Sequence, residues 1–372
     1  MTLRERIEQE IREHRPIPFS RYMELCLYDP EAGYYARSKE QFGRTGDFYT
    51  ASDVHAIFGR LMARQFEEMW RALGAPAQLE IVELGPGRGL FARDVLDWLQ
   101  QKFPHFFNAL RYTLVERSAA LRDKLASTLG EYIAVKKASV VEDVASYVST
   151  ENVIVFANEF FDALPVEVLS NQGAMLVGWE NGRLIESFVS ASAAEMEYLD
   201  RYSVHPEEGE RVEAGLEAQR WMSRMGAAIR RGFVIVIDYG YTREELLAGR
   251  HRGTIMCYRQ HSASGNPYEA PGEQDITAHV NFTALRAAGE QAGLECLGLV
   301  TQAQFLMGIG EDTQFSDAFE GASLPQERAK RALQLKHLVT PAGMGETFSV
   351  LVMAKGVDRR KAAALSGLKF VR

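Results

Sequence analysis

The chain has 372 residues, which exceeds one average domain and suffices for two, or for one enzyme fold with a large insertion. An apolar fraction of 46% and a charged fraction of 25% are typical of a globular protein with a substantial core. The net charge of −8 lacks the broad basic surface that nucleic-acid binding usually needs, so we expect no nucleic-acid partner and a site that tolerates a cationic substrate.

The N-terminal region is predicted to be helical. Residues 2–14 carry apolar side chains every four positions, and residues 20–28 form a second short helix after two prolines. Residues 39–53 are rich in Gly, Ser, Thr and Asp and are predicted to be a loop, and the pattern becomes helical again over 56–73. We therefore expect residues 1–75 to form an N-terminal helical and lid region.

This N-terminal segment resembles no targeting signal. Residues 1–20 carry acids throughout and have no apolar core, unlike secretory signals and acid-poor transit peptides. No apolar run along the chain reaches membrane-spanning length. The three cysteines, Cys26, Cys257 and Cys296, are scattered and have no His partner at metal-ligand spacing. We expect a cytoplasmic protein with no membrane insertion and no metal.

Four apolar runs then alternate with helical patterns. They are LEIVEL (79–84), YTLVE (112–116), VIVFAN (153–158) and FVIVID (233–238), and each predicts a buried strand. Such alternation indicates βαβ crossovers and a mainly parallel sheet that is covered on both faces. We predict an α/β fold in which residues 76–170 form the first part of a Rossmann-like core.

An insertion separates the third and fourth of these strands and occupies residues 171–231. Asn181–Gly182 between two apolar runs predicts a β-hairpin, and residues 193–230 are predicted to be mostly helical, with an interruption near His205–Pro206. The polar segment 241–280 is predicted to be a long substrate loop. Two late strands, the last one antiparallel, are expected to complete the second part of the core within 232–372.

The segment ELGPGRG (83–89) connects a predicted strand to a predicted helix, which is the context that a nucleotide-binding loop requires. A dinucleotide fingerprint that begins at Gly85 and Gly87 would place its third glycine at position 90, which is Leu90. The observed glycine is Gly89, so the spacing with the leading acid Glu83 resembles motif I of class I S-adenosylmethionine (SAM) methyltransferases. An acid suits a cationic methionine end and disfavours a pyrophosphate. A tight turn without a ligand is the alternative.

Glu116 ends the second predicted strand, where a carboxylate can accept hydrogen bonds from both hydroxyls of a ribose. This placement supports a nucleoside ligand, and it does not distinguish SAM from a dinucleotide. The alternative is an ordinary acid at the start of a helix.

Acids and aromatic rings follow the third predicted strand, in Asn158, Glu159, Phe160 and Asp162. Ligands bind outside the carboxyl ends of strands in an open α/β sheet, so these residues are expected beside the methyl group of the cofactor. Asn158 matches the first residue of the Asn-Pro-Pro-aromatic motif of DNA and glutamine-amide methyltransferases, but Glu159 and Phe160 replace its prolines.

A guanidinium group suits this stretch better than an amide. It pairs with carboxylates through bidentate hydrogen bonds and stacks on an aromatic ring such as Phe160. A carboxylate can also accept the proton that the nitrogen releases after attack. The alternative is that Glu159 and Asp162 are acids at the start of a helix, with the phenylalanines in the core.

Long motifs resemble those of the MidA family along nearly the whole chain. The segments that carry the resemblance are GDFYTASDVHAIFGR (46–60), ELGPGRG (83–89), VERS (115–118), NEFFDALPVEV (within 158–168), IDYGY (237–241), GTIMCYRQH (253–261) and DITAHVNFTAL (275–285). The resemblance implies a class I SAM-dependent methyltransferase, with a seven-stranded mainly parallel sheet, an N-terminal helical extension and a large insertion.

The best-known member of that family is a mitochondrial complex I assembly factor that methylates arginine on a protein. The resemblance therefore implies SAM as cofactor, a protein that presents an arginine as substrate, and symmetric dimethylation as product. By analogy, a subunit of a respiratory complex is a possible partner.

Further site residues are expected from the lid and the long loop. We expect Asp47 to lie near the methionine amino group. The remaining candidates, which we expect to line the acceptor site, are Asp238, Tyr239, Tyr241, Tyr258 and His261, with His279 as a further loop histidine. A plain turn at Asp47 and surface positions for the histidines are the alternatives.

Two other functions stay open on the sequence. One is a SAM-binding assembly chaperone with weak or no catalysis, in which the insertion and the long loop would dock a partner. The other is an NAD(P)-dependent oxidoreductase, against which Leu90 counts.

Overall fold

The computed structural model describes residues 1–36, 56–143, 151–249, 253–260 and 262–371. The described residues form two compact units. The first unit comprises those within Met1–Phe48, Phe160–Arg224 and Gly240–Ala288, and the second unit those within Tyr49–Glu159, Met225–Tyr239 and Gly289–Arg372.

The strands of the described residues are, in chain order, β1 (Ile17–Pro18), β2 (Leu79–Leu84), β3 (Leu110–Val115), β4 (Ala138–Val141), β5 (Val153–Asn158), β6 (Glu167–Ser170), β7 (Gly173–Glu180), β8 (Arg183–Val189), β9 (Val212–Ala214), β10 (Gly232–Tyr241), β11 (Met256–Arg259), β12 (Ser262–Ser264), β13 (Asp275–Thr277), β14 (Val280–Asn281), β15 (Glu295–Thr301) and β16 (Phe348–Lys355).

The α-helices of the described residues are Leu3–His14, Phe19–Tyr28, Ala56–Ala72, Leu90–Lys102, Pro104–Ala109, Ala119–Thr128, Gly130–Ala134, Ala193–Tyr202, Leu216–Ala228, Arg243–Leu247, Phe282–Gln291, Gln302–Glu311, Ser316–Phe319, Pro325–Val339 and Arg359–Ala363. Short 3₁₀ turns lie at Tyr34–Ala36 and Ser366–Leu368.

Judged on these described residues, no helix is both long and apolar enough to cross a membrane.

The second unit is built on a sheet whose strands follow the order β15-β16-β10-β5-β2-β3-β4. The pairs that join β4, β3, β2, β5 and β10 are all parallel, and β16 runs antiparallel to both of its neighbours. The predicted α/β alternation and the antiparallel last strand are therefore confirmed. Because the central strands are parallel, the carboxyl ends of β2, β3, β5 and β10 lie along one edge of the sheet.

Aromatic packing covers one face of this sheet. Phe156 on β5 stacks on Phe91 with ring centroids 4.6 Å apart, and Phe66 meets Phe156 edge-on at 5.6 Å. Phe66 and Phe91 belong to the helices Ala56–Ala72 and Leu90–Lys102, so both helices bury apolar side chains on the strand face. The strands are nearly continuous apolar runs, as expected for a sheet that is buried on both sides.

The first unit carries a smaller antiparallel sheet, in which β7 pairs with β1, β6 and β8, and β6 also pairs with β9. The predicted hairpin is confirmed between β7 and β8, where Asn181 and Gly182 have φ of 50° and 78°. Both turn residues therefore occupy the left-handed region that such two-residue turns require. A second small sheet pairs β12 with β11 and β11 with β13.

Two predictions about secondary structure are wrong in detail. The segment 241–280 is no structureless loop, because it contains the helix Arg243–Leu247 and the strands β11, β12 and β13. Those strands have four residues or fewer, too short for an alternating pattern to show in the sequence. The strand expected at 112–116 starts at Leu110 and ends at Val115. The segment 193–230 contains the helices Ala193–Tyr202 and Leu216–Ala228. The prediction that it is mostly helical is therefore confirmed, and the expected interruption lies between the two helices, where β9 also forms.

Candidate active site

The glycine loop between β2 and the helix Leu90–Lys102 is held in a left-handed backbone conformation. Gly85, Gly87 and Gly89 have φ of 63°, 52° and 74°, values that residues with a Cβ atom rarely adopt. The N–H of Gly85 donates to the carbonyl oxygen of Val115 over 3.1 Å, which ties the loop to the end of β3. The loop therefore presents its backbone at the carboxyl edge of the sheet.

Glu83 lies on β2, two residues before the glycine loop, and its side chain is buried. The hydroxyl of Tyr112 on β3 donates a hydrogen bond to Glu83 Oε2 over 2.9 Å. Burial raises the pKa of Glu83 to about 8, and the hydrogen bond from Tyr112 opposes this rise. A cationic group placed beside Glu83 would favour the ionised carboxylate and lower this pKa.

Glu116 follows the last residue of β3 and is also buried. Its Oε1 accepts a hydrogen bond from the N–H of Ser118 over 2.7 Å, and burial raises its pKa to about 7. The hydroxyl of Ser118 caps the helix Ala119–Thr128 by accepting from the N–H of Leu121 over 3.3 Å. Ser118 is therefore the N-cap residue of this helix, and Glu116 lies two residues before it.

Asn158 ends β5 on the same face of the sheet as Phe156, because side chains alternate along a strand. Its Nδ2 donates to Glu159 Oε1 over 3.1 Å. Its Oδ1 is buried and accepts no hydrogen bond from any residue that the structure describes. Buried amide oxygens are usually paired, so among the described residues this atom is left available to a donor from a bound ligand.

Glu159 occupies a strained backbone position directly after β5. Its φ is 51°, and its N–H donates to the carbonyl oxygen of Ile237 over 2.9 Å, which extends the pairing with β10 by one residue. A non-glycine residue in this region costs about 1–3 kcal/mol, and such residues are concentrated at functional sites. No helix begins at Glu159 or Asp162, so the interpretation of these acids as helix-start residues is wrong.

The rest of the acid–aromatic stretch belongs to the first unit. Phe160 meets Phe161 and Trp221 edge-on, with ring centroids 5.3 Å and 5.2 Å apart. Asp162 is buried, and its carbonyl oxygen accepts the N–H of Ala278 over 2.9 Å. The stretch is thus fixed by ring packing and by a backbone bond.

Asp238 and Tyr239 end the part of β10 that lies in the second unit. Asp238 is fully buried, and its Oδ1 accepts the N–H of Tyr239 over 2.9 Å. The ring of Tyr239 packs against Phe348 on β16 with centroids 4.1 Å apart. Within the second unit, Asp238 and Tyr239 share the carboxyl edge of the sheet with Glu83, the glycine loop, Glu116, Asn158 and Glu159.

Tyr241 and Tyr258 lie in the first unit. Tyr241 is buried in an apolar cluster that includes Tyr198 and Leu246. Tyr258 on β11 is partly buried, and its pKa is raised by burial first and then by the negative charges of Asp162 and Asp275.

Two predicted site residues, Asp47 and His261, lie outside the described residues. The backbone N–H of His279 donates to Thr254 Oγ1 over 3.0 Å, which anchors this histidine beside β14. Within the described ranges, no three His, Cys, Asp or Glu side chains are grouped so that they could hold a metal ion.

The sequence reasoning missed Tyr112. It stands in the predicted strand YTLVE and reads as one more core aromatic residue. Its contact with Glu83 depends on the register of β2 against β3, which places Tyr112 opposite Ile81. No local pattern encodes the register between two parallel strands that helices separate in the sequence.

Comparison with known proteins gives consistent matches. A family model described as S-adenosyl-L-methionine-dependent methyltransferase matches residues 61–300. The chain is 31% identical to the protein arginine methyltransferase NDUFAF7 homolog, mitochondrial, of Drosophila melanogaster, over 96% of this chain and 85% of that protein. It is 27% identical to the protein arginine methyltransferase NDUFAF7, mitochondrial, of Homo sapiens, over 92% of this chain and 81% of that protein.

Two solved structures from Burkholderia thailandensis share the whole fold. One is bound to S-adenosyl-homocysteine and superposes with a TM-score of 0.85 at 31% identity, covering 99% of this chain and 95% of its own. The other, a native crystal structure, gives a TM-score of 0.82 at 30% identity, with 99% and 94% covered. The chain therefore belongs to the MidA family of S-adenosyl-L-methionine-dependent methyltransferases.

Proposed function

We propose that this protein is a class I methyltransferase that transfers a methyl group from SAM to an arginine side chain of a protein. The observation that carries the proposal is the grouping of the glycine loop with Glu83, Glu116, Asn158 and Glu159 at one edge of the sheet. The order of seven strands with an antiparallel β16 supports the class I assignment. The names of the relatives support arginine as the acceptor.

The residues at this edge fit the cofactor. Glu83 is a buried carboxylate that would be stabilised by the cationic methionine end, and Glu116 lies where ribose hydroxyls bind in such sheets. The buried Oδ1 of Asn158 would accept a donor from the ligand. The glycine loop would allow the ligand to approach the backbone closely. When bound, SAM supplies a methyl group whose carbon–sulfur bond breaks as a carbon–nitrogen bond to the acceptor forms.

Glu159, Asp162 and Asn158 are each proposed to help orient the acceptor guanidinium. A carboxylate would hold the planar guanidinium through two hydrogen bonds and accept the proton that the methylated nitrogen releases. The strained backbone at Glu159 supports a functional role, since the folded state maintains a conformation that a helix or strand would not require. Phe160, Asp238, Tyr239 and Tyr258 are proposed to line the acceptor site.

Roles for Asp47, Tyr241 and His261 stay predictions from the sequence, as do the bounds of the four predicted segments. We propose symmetric dimethylation as the product and a respiratory-complex subunit as the substrate protein, on the analogy with the family. The cytoplasmic location is likewise a proposal, and the relatives named above are mitochondrial. Cell fractionation checks the location, and mass spectrometry of cells with and without the gene checks the loss of methyl-arginine.

The catalytic proposal is tested with Glu159→Gln. We expect binding of S-adenosyl-homocysteine within about twofold of wild type and methyl transfer reduced at least about a hundredfold, because general acid–base and positioning effects contribute on this scale. Calorimetry measures binding, and transfer of a labelled methyl group measures turnover. Glu151→Gln is the matched control, because Glu151 is exposed at the opposite, amino end of β5.

Normal turnover of Glu159→Gln would exclude the proposed role of this carboxylate. If the variant lacks turnover and yet restores a deletion strain fully, the function is that of an assembly chaperone. If the wild type binds a dinucleotide but no S-adenosyl-homocysteine, the function is that of an oxidoreductase.

A further inference from the structure

Tyr112 and Glu83 form an isolated buried pair within the second unit. Tyr112 is fully buried, Glu83 is 5% exposed, and the hydroxyl of Tyr112 lies 2.9 Å from Glu83 Oε2. In the register of the sheet, Glu83 stands beside Leu114 on β3 and Phe156 on β5, which are both apolar. Of the described titratable groups, only Tyr112 and Glu83 perturb each other here.

The apolar surroundings of Glu83 make its ionisation depend on the hydrogen bond that Tyr112 donates. Phe156 and Phe91 stack on the same face of the sheet, so water has little access to the carboxyl group. A buried carboxylate that lacks partners takes up a proton and stays neutral. A hydrogen bond donated to one of its oxygens stabilises the ionised form and also fixes the rotation of the carboxylate.

We infer that Tyr112 is a positioning residue for cofactor binding, which orients the Glu83 carboxyl group and favours its ionised form for the cationic amino-acid end of the cofactor. This inference rests on the proposed role of Glu83. In this inference Tyr112 affects cofactor binding only through Glu83 and takes no part in the methyl transfer itself.

The inference predicts a particular dependence on pH. Glu83 in the free protein has a raised pKa of about 8, so only a minor fraction is ionised at pH 7 and affinity for a cationic ligand should increase as the pH rises toward 8. Without the Tyr112 hydroxyl the pKa of Glu83 would rise further. A shift of one unit would weaken binding about tenfold at pH 7, because the ionised fraction falls about tenfold.

The test compares Tyr112→Phe with wild type by calorimetric titration of S-adenosyl-homocysteine between pH 6.0 and 8.5. We expect a Kd about tenfold weaker at pH 7, a difference that narrows toward pH 8.5, and an unchanged kcat at saturating cofactor. Thr113→Val is the matched control. Thr113 is also buried on β3, and its hydroxyl donates to Glu80 Oε1 over 2.6 Å, on the opposite face from Glu83. Its profile should coincide with wild type.

A Tyr112→Phe profile that is parallel to wild type at every pH would overturn the inference. Glu83→Gln separates this failure from failure of the proposed function. If Glu83→Gln leaves both the affinity and its pH dependence unchanged, the role of Glu83 itself is wrong. If Glu83→Gln removes the pH dependence while Tyr112→Phe changes nothing, only the inference about Tyr112 is wrong.

A double variant covers the case in which Tyr112→Phe alone fails to fold. Tyr112→Phe combined with Glu83→Gln removes the donor together with the buried acid. If Tyr112 acts through Glu83, the double variant and Glu83→Gln alone should bind S-adenosyl-homocysteine with the same Kd. A further loss of about fivefold or more in the double variant would contradict the inference, because it would show that Tyr112 acts independently of Glu83.

Discussion

Several polar side chains at the carboxyl edge of the sheet are buried in environments that cost free energy when no ligand is bound. Glu83 and Glu116 are both buried carboxyl groups with raised pKa values, and Asn158 has a buried oxygen with no donor among the described residues. A folded protein that keeps such groups loses stability in the free state and regains it when a complementary ligand binds.

We expect the free-energy cost of burying Glu83 to appear as a pH dependence of the free energy of unfolding. Its pKa is about 8 in the folded state, above its ordinary value, so its protonated form contributes stability at low pH that is lost as the pH rises through 8. We expect Glu83→Gln to stabilise the ligand-free protein at pH 9 by about 1–3 kcal/mol and to change little at pH 5. Denaturant unfolding measures this. The exposed Glu151→Gln should show no such pH dependence, and an equal effect of Glu83→Gln at both pH values would refute the argument.

At the scale of single residues, the candidate site was only partly predictable from the sequence. The types and order of Glu83, Glu116, Asn158 and Glu159 indicated a ligand site, because each lies near the end of a predicted strand and ligands bind outside the carboxyl ends of such strands. The sequence did not reveal the left-handed backbone of Glu159, which accompanies a backbone hydrogen bond to Ile237, a residue that is distant in the sequence. The contact between Tyr112 and Glu83 was hidden for a related reason, because it depends on strand register.

At the scale of elements, the glycine loop joins β2 to the helix Leu90–Lys102. Gly89 is the residue before this helix and has a left-handed φ of 74°, and a Cβ atom there would lie 2.7 Å from Leu125 Cδ2. Leu125 is fully buried and therefore has little freedom to move away.

We expect Gly89→Ala to destabilise the fold for two separable reasons. The left-handed backbone costs about 1–2 kcal/mol for any residue with a Cβ atom, and the overlap with Leu125 adds about 1 kcal/mol or more. Gly74→Ala isolates the first cost, since Gly74 has φ of 84° and no atom within 4 Å of an added Cβ. Denaturant unfolding of both variants measures the difference, and equal losses would show that Leu125 moves aside without cost.

Elements with long apolar runs were predicted well, and short ones were not. β2, β5 and β10 are buried on nearly every residue, so their sequences are distinctive. β11 and β13 have four and three residues, and pairing between strands that are distant in the sequence stabilises them more than any local preference.

At the scale of the whole molecule, the net charge is divided unequally. The sequence ranges of the first unit contain 18 Lys and Arg against 26 Asp and Glu, which accounts for the entire charge of −8. The ranges of the second unit contain 24 of each sign. The proposed cofactor residues Glu83, Glu116 and Asn158 therefore lie in the neutral unit, while the acidic unit suits a basic polypeptide.

This division predicts different salt dependences for the two ligands. The KM for a basic, arginine-bearing protein substrate should rise severalfold between low and high ionic strength, because salt screens attraction between exposed charges. Binding of S-adenosyl-homocysteine should change much less. Steady-state kinetics measures the KM and calorimetry measures the Kd for S-adenosyl-homocysteine at matched salt concentrations. An equal salt dependence of the KM and the Kd would contradict the assignment of the basic substrate to the acidic unit.

A pair of neutralising variants localises the effect. Glu207→Gln with Glu208→Gln removes two exposed acids from the first unit, and Asp123→Asn with Glu131→Gln removes two from the second. The first pair should raise the KM for the basic substrate at low salt and flatten its salt dependence, while the second pair should leave both unchanged.

The left-handed backbone at Glu159 also has a consequence for the engineering of this enzyme. Glycine is the residue that this conformation accepts without penalty, so a laboratory selection for heat resistance alone would favour replacing Glu159 by glycine. The replacement would discard the carboxylate that we propose holds the acceptor. Thermal stability and activity therefore conflict at this one position. Engineering for higher stability should keep Glu159 unchanged and substitute residues elsewhere in the chain.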